Sequence, residues 1–298
     1  MSTLARIKFK DAAQRPTLDF VLPGLLAKTV GMIVGQGAIG KSFLALSIGM
    51  AVALGRSVAG GLWTNSVAGK VTLVFGEDQI ELLQERLYWL IQNEKLTAPE
   101  IDFLDENLDI RSGYGHDLRI LARAAGGGLE HGPFYEALCE MCKGQRLLIL
   151  DPLAFITDAE ENNNGEMTRL MQILQTICKE TGVTIIVLHH VGKSASSGDR
   201  EEWAAARGAS ALTTACRWQV NLTPPTGKVC DEYGIDDKMR RLWVRMSVVK
   251  TNYGEPQPPQ WLHRSKGGVL ESREPVKVST KKTTNSNRLK GAIDEGDF

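Results

Sequence analysis

Residues 29–42, TVGMIVGQGAIGKS, limit the choice of fold more than any other stretch of this chain. An apolar, partly β-branched run reaches a turn containing Gly35, Gly37 and Gly40. The turn passes through Lys41-Ser42 into Phe43-Leu44-Ala45-Leu46, a good helix start. A G-x-x-x-x-G-K-S turn between a strand and a helix is the arrangement that cradles a polyphosphate. Its glycines admit backbone conformations closed to other residues, so successive N–H groups can converge on anionic oxygens. The helix adds the positive end of its dipole at the same point. The candidate nucleotide-binding residues are Gly35, Gln36, Gly37, Ala38, Ile39, Gly40, Lys41, Ser42 and Phe43. Lys41 can reach the β- and γ-phosphates and Ser42 can ligate a metal, so ATP with Mg2+ is the expected pair.

With 298 residues, 43% of them hydrophobic, the chain can bury a sizeable core in one or two domains. The formal net charge is zero, which gives a single subunit no general attraction for nucleic acid. A ring could still concentrate basic residues in its bore. No uninterrupted apolar run approaches the roughly 20 residues of a membrane span. The first residues, Met-Ser-Thr-Leu-Ala-Arg, lack the apolar core of a signal peptide. The expectation is a cytoplasmic protein with no membrane partner. Five cysteines, an odd number, argue against a disulfide framework. Cys139 and Cys142 lie in a helical pattern with no second C-x-x-C, and read as core thiols rather than a metal or redox pair.

Residues 1–17 are weakly patterned and are taken as an arm, and Leu18 to Gly24 ends in a Pro-Gly turn. The helix after Ser42 is predicted to reach about Leu54, with Gly55 as its stop. Val71-Thr72-Leu73-Val74-Phe75 is a short apolar strand followed by Gly76-Glu77-Asp78. A helix over 79–93 places Ile80, Leu83, Leu87 and Leu90/Ile91 on one face. Residues 94–132 stay unassigned, with Gly126-Gly127-Gly128 as a flexible break. Leu147-Leu148-Ile149-Leu150-Asp151 is an apolar strand ending in an acid. A polar loop, residues 158–166, then precedes a helix at about 167–180. Residues 183–188 form a buried strand ending in His189-His190. Residues 218–222 and 242–249 alternate and are predicted to be antiparallel edge strands. From Arg273 onward the chain is polar and basic, a disordered tail.

Apolar strands alternating with helices imply a mostly parallel, twisted sheet with helices on both faces and antiparallel edge strands, an α/β fold. Ligands of such sheets bind beyond the C-terminal strand ends, where Gly35, Glu77, Asp151 and His190 all fall. ATP hydrolysis needs metal ligation, a polarised water and charge neutralisation at the γ-phosphate. Asp151 is the candidate metal ligand with Ser42, and Glu77 the candidate general base. Asp78 is its less favoured neighbour. His190 is placed to contact the γ-phosphate or to relay its loss to the following loop.

The Gly-Lys-Ser turn, Gly76-Glu77-Asp78, Leu150-Asp151 and Leu188-His189-His190 occur in the order of RecA-like ATPases. The Val21-Leu22-Pro23 segment, Arg207-Gly208-x-Ser210 and Val249-Lys250-Thr251-Asn252-Tyr253-Gly254 resemble segments of the plasmid-encoded RepA hexameric replicative helicases. The resemblance covers roughly residues 18–270, and the chain divides into an arm (1–17), a RecA-like ATPase domain (18–272) and a tail (273–298). It implies a homohexameric ring with ATP between subunits, 5′→3′ translocation on single-stranded DNA, and a replication initiator or primase as a further partner. It also implies an arginine reaching the neighbour's γ-phosphate. Arg207 matches that position, with local pairing to Glu201 or Glu202 as its alternative. Lys250 is a second trans candidate, although Asn252 stands where many RecA-like hexamers carry arginine. The loop after His190 carries Lys193 and Arg200, the candidate DNA contacts, whereas the loop after Asp151 is acidic. A RecA-like single-strand-binding mediator that does not unwind is the alternative function.

Overall fold

Alternation along the apolar strands divides the interior into two cores, one on each face of a central sheet. Ile33, Leu73, Phe75, Leu147, Ile149, Ile186 and Leu188 belong to one core. Their neighbours Met32, Val34, Val74, Leu148, Leu150, Ile185 and Val187 belong to the other. Successive side chains on a strand point to opposite faces, so strands apolar throughout require cover on both. The computed structural model describes residues 4–63, 67–191, 212 and 215–276.

Strands β1 (Phe20–Leu22) and β2 (Leu25–Leu26) pair with each other, and among the described residues the central sheet has nine strands in the order β13-β12-β11-β10-β3-β9-β8-β4-β5. Six run parallel: β10 (Trp218–Thr223), β3 (Val30–Gly35), β9 (Thr184–His190), β8 (Leu147–Asp151), β4 (Val71–Phe75) and β5 (Leu108–Ser112). Three strands, β11 (Trp243–Thr251), β12 (Gln260–Arg264) and β13 (Leu270–Ser272), extend one side antiparallel. Helices α1 (Lys41–Leu54), α2 (Ile80–Glu94) and α3 (Ala98–Asn107) cover one face, and α4 (Tyr135–Met141) and α5 (Asn164–Thr181) the other. Gly55 ends α1 in the left-handed conformation at φ 64°. The Asn163 side chain accepts from the N–H groups of Gly165 and Glu166 and so starts α5, three residues before the expected position. The mostly parallel sheet with antiparallel additions is the expected fold class.

Five local expectations change. Residues 242–249 are antiparallel as expected but do not form an edge, because β11 lies between β10 and β12 and the edge on that side is β13. Residues 218–222 are not an edge strand: β10 is central, parallel to β3 and buried. Its polar members mislead because Gln219 and Asn221 are buried and bond each other (Nε2 to Oδ1, 2.8 Å), so alternation did not signal exposure. Ile80 is 60% exposed, leaving Leu83 and Leu90 as the buried positions of α2. The unassigned 94–132 segment contains α3, β5 and a separate hairpin of β6 (Leu121–Arg123) and β7 (Leu129–His131). The triple glycine is that hairpin's turn, closed by the Ala124 N–H donating to the Gly128 carbonyl at 2.8 Å. α3 forms on a capping box, Thr97 with Glu100, and a proline in its first turn. All five cysteines are free, and Cys142 is buried while Cys139 is partly so. Residues 4–19 are exposed and contain one 3-10 turn, Asp11–Ala13. No helix among the described residues is long and apolar enough to cross a membrane.

Candidate functional site: a P-loop at the strand ends

Strand register brings the distant motifs together. β3, β9, β8 and β4 are consecutive neighbours, with Gly35 opposite His190 and Phe75 opposite Asp151. Their C-terminal ends therefore form one short row. From Gly35 the chain turns through residues 36–40 into α1, with Ala38 at φ 60° and Gly40 at φ 108°. A side chain on Gly40 would also collide with Leu270, whose Cδ1 lies 2.6 Å from the Cβ position. Gly37 faces open space. The first N–H groups of α1 have no intrahelical acceptor, so Lys41, Ser42 and Phe43 present donors at the loop.

Lys41 is only 3% exposed. Its Nζ donates to the carbonyls of Gly35 (2.7 Å) and Gln36 (2.9 Å) and lies 3.1 Å from His190 Nδ1. Burial pushes this ammonium down to about 8, against the attraction of Asp151 and Glu77. The Ser42 hydroxyl donates to Asp151 Oδ2 at 2.7 Å. Asp151 is buried, and that burial raises its carboxyl to about 6, opposed by the Ser42 hydrogen bond and the Lys41 charge.

The Gly76 N–H donates to the Asp151 carbonyl at 2.7 Å, which carries the β4 alignment past the strand end to Glu77. Glu77 Oε2 lies 3.8 Å from His190 Nε2. Burial lowers the His190 pKa, Lys41 lowers it further and Glu77 opposes the shift. An ammonium donating to Nδ1 leaves the imidazole neutral with its proton on Nε2, the nitrogen that faces Glu77. His189 is buried, lowered to about 4 mainly by burial, and lies 3.8 Å from Glu161.

These residues fit a nucleotide with a divalent cation. The Lys41 donors rest on two carbonyls and an imidazole, weaker partners for a buried ammonium than phosphate oxygens. A hydroxyl facing a buried carboxylate is a hard-oxygen pair of the kind magnesium selects.

The remaining predicted residues divide. Lys250 pairs in register with Gln219, itself level with Met32, so it stands three residues below Gly35, roughly 10 Å along the sheet. It does not join its own subunit's P-loop. Lys193, Arg200 and Arg207 lie outside the described residues. Two acids of the loop after β8 are already paired: Asp158 accepts from Arg119 and from the Arg123 N–H, and Glu166 pairs with Arg123.

Two residues that sequence reasoning missed border the site. Arg86 of α2 pairs with Asp78, and its guanidinium carbon lies 5.7 Å from the Phe43 ring centroid. Asp78 is thereby committed to an ion pair, which leaves Glu77 as the accessible acid. Arg264 of β12 donates to the carbonyls of Ile39 (3.0 Å) and Ala38 (3.3 Å) of the P-loop. Neither has a sequence signal, since their spacing from the motifs matches no local rule.

A family model described as an AAA domain matches residues 3–196. Among solved structures, the ATPase domain of the protein called G40P is 13% identical with a TM-score of 0.55, covering 89% of this chain and 95% of that one. A DnaB-like replicative helicase, solved to describe its interactions with primase, is 12% identical with a TM-score of 0.58 over 89% of this chain. This chain covers 66% of that helicase's length. The RadB recombinase is 17% identical with a TM-score of 0.50, covering 85% of this chain and 93% of its own. At these identities the likeness is one of fold. The family match spans well over half of the sequence, and the chain belongs to the AAA domain family, with the fold of a RecA-like P-loop ATPase.

Proposed function

We propose that this protein is an ATP-dependent, ring-shaped replicative DNA helicase resembling the plasmid-encoded RepA type, hydrolysing ATP between the subunits of a homohexamer. The observation that carries the ATPase part is the convergence of Lys41, Ser42, Asp151, Glu77 and His190 on one row of strand ends. Lys41 and the N–H groups of the loop bind the phosphates. Ser42 and Asp151 would hold Mg2+, which would supply charge neutralisation at the phosphates. Glu77, half-exposed and therefore open to water, accepts the proton of the attacking water. His190 Nε2 faces that carboxylate across 3.8 Å, while Nδ1 is tied to the lysine that must turn toward phosphate. His190 is therefore suited to report nucleotide state along β9 to the loop carrying Lys193 and Arg200.

Arg207 is proposed to complete the neighbour's site, with Lys250 as a second contact. Lys250's distance from its own P-loop favours a role at the opposite side of the subunit. The DNA reading favours the loop after β9 over the loop after β8, whose acids already hold Arg119 and Arg123. Six copies of Lys193 and Arg200 would neutralise several backbone phosphates despite zero net charge. The arm, the ATPase domain to residue 272 and the tail are proposed as separate functional parts. An initiator or primase is the further partner and the cytoplasm the site of action. The competing reading, a strand-binding mediator without unwinding, draws on the likeness to a recombinase fold.

The trans arrangement predicts complementation. Arg207→Ala retains nucleotide binding but loses hydrolysis, by roughly 10³-fold or more where such an arginine acts in trans. Mixed with Glu77→Ala subunits it regains activity, since some interfaces then join an intact acid to an intact arginine. ATPase assays across mixing ratios, with native mass measured on an ATP analogue and single strand, check this. Assemblies other than hexamers, or rings that never regain activity, contradict it.

A further inference from the structure

The antiparallel strands β12 and β13 reach the P-loop from outside the motifs. Their connection, the 3-10 turn Lys266–Gly268, meets two helices of the site: Lys266 lies over the Trp89 ring of α2 at 5.0 Å, and Gly268 abuts the Phe43 ring at the start of α1. At the end of β12 stands Arg264, half-buried, paired in register with Leu270. Its Nη2 donates to the Ile39 carbonyl at 3.0 Å and the Ala38 carbonyl at 3.3 Å, and its Nη1 reaches the Gly268 carbonyl at 3.5 Å. No carboxylate of the described residues forms an ion pair with it, and burial is what lowers its pKa. A guanidinium held in the fold by carbonyls alone gives up solvation without a counter-charge, a cost that a polyanion in the adjacent cradle offsets.

Peptide geometry gives these contacts a direction. In a trans peptide the carbonyl and the next N–H point oppositely. Fixing the Ala38 carbonyl fixes the Ile39 N–H, which is turned toward the Gln36 carbonyl at 3.4 Å. Fixing the Ile39 carbonyl sends the Gly40 N–H away from Arg264. We propose that Arg264 is a positioning residue of the nucleotide site: by holding the Ala38 and Ile39 carbonyls, it turns the Gly40 N–H into the phosphate cradle before nucleotide arrives. This rests on the P-loop ATPase reading and adds a residue to it. Because the arginine acts on loop peptides and not on the base, its effect falls on the phosphate portion of any ligand.

The test compares ATP with inorganic tripolyphosphate, each displacing a fluorescent ADP analogue from the full chain, alongside steady-state kinetics and thermal melting. Arg264→Gln is expected to weaken both ligands by the same factor, roughly 10- to 100-fold for lost charge-assisted hydrogen bonds, and to raise KM far more than it lowers kcat. Arg264→Lys, which keeps the stem and the charge but cannot fork across two carbonyls, falls between wild type and glutamine. Weakened ATP with unchanged tripolyphosphate overturns the proposal, as does wild-type affinity for both. Should the glutamine variant fail to fold, the lysine variant decides by the same comparison. A wild-type chain that binds neither ligand overturns the P-loop reading and this proposal with it. Normal wild-type binding with an indifferent Arg264 overturns only the latter.

Discussion

Lys41→Ala is expected to abolish ATP turnover, on the order of 10³-fold or more, and to weaken nucleotide binding with it. The reason lies in how the lysine is held. A side chain 3% exposed carries its charge against two main-chain carbonyls and one imidazole, and burial has already lowered its pKa to about 8. Such a cation is poorly compensated without an anion, so polyphosphate is the partner that restores it. Alanine removes both the attraction and the buried charge, so the fold loses little while the site loses its principal cation. Hydrolysis assays together with titration of a fluorescent nucleotide check the result. Wild-type turnover in this variant would overturn the P-loop assignment.

Asp151→Asn separates function from stability more sharply. The amide oxygen can still accept from the Ser42 hydroxyl, so the packing survives, but the carboxylate charge that fits Mg2+ is lost. Turnover is expected to fall on the order of 10²–10³-fold. Stability moves the other way. The folded carboxyl titrates at about 6 rather than 3.8, mainly through burial, so the native state binds more protons than the unfolded chain between those values. Native stability therefore declines as pH rises through that window and stays reduced above it. Asparagine carries no such charge, and the metal-free variant melts higher than wild type at neutral pH. In wild type the same titration makes Mg2+ compete with a proton, so its apparent affinity drops about tenfold per pH unit below about 6. Melting curves without metal and Mg2+ titrations from pH 5 to 7 test both signs. Turnover indifferent to the substitution, or a destabilised variant, contradicts the assignment.

The centre of the sheet and the site were legible because both follow from continuous apolar runs ending in a polar residue. Such a run is a strand buried on two faces, and an acid or histidine at its end has few structural reasons to be there. That logic located Asp151 and His190, and one short step further Glu77. It failed at β10, where the buried Gln219 donates to the buried Asn221 inside the sheet and the two polar residues imitate a half-exposed strand. It failed at Ile80, which fits the helical stripe yet lies on the first turn of α2, where no described residue buries it. Arg264 and Arg86 were invisible because their partners are loop carbonyls, a ring and an acid brought near only by the finished fold. The residues proposed to act across a subunit boundary rest on resemblance, since a neighbour's site leaves no periodicity in one chain.

Strand displacement on a forked duplex with a 5′ single-stranded tail separates a helicase from a mediator. Wild type is expected to open the fork in an ATP-dependent way, with opening lost in Lys41→Ala and absent when the tail is 3′ only. ATP hydrolysis stimulated by single-stranded DNA, with no fork opened under any condition, would contradict the helicase and leave the mediator.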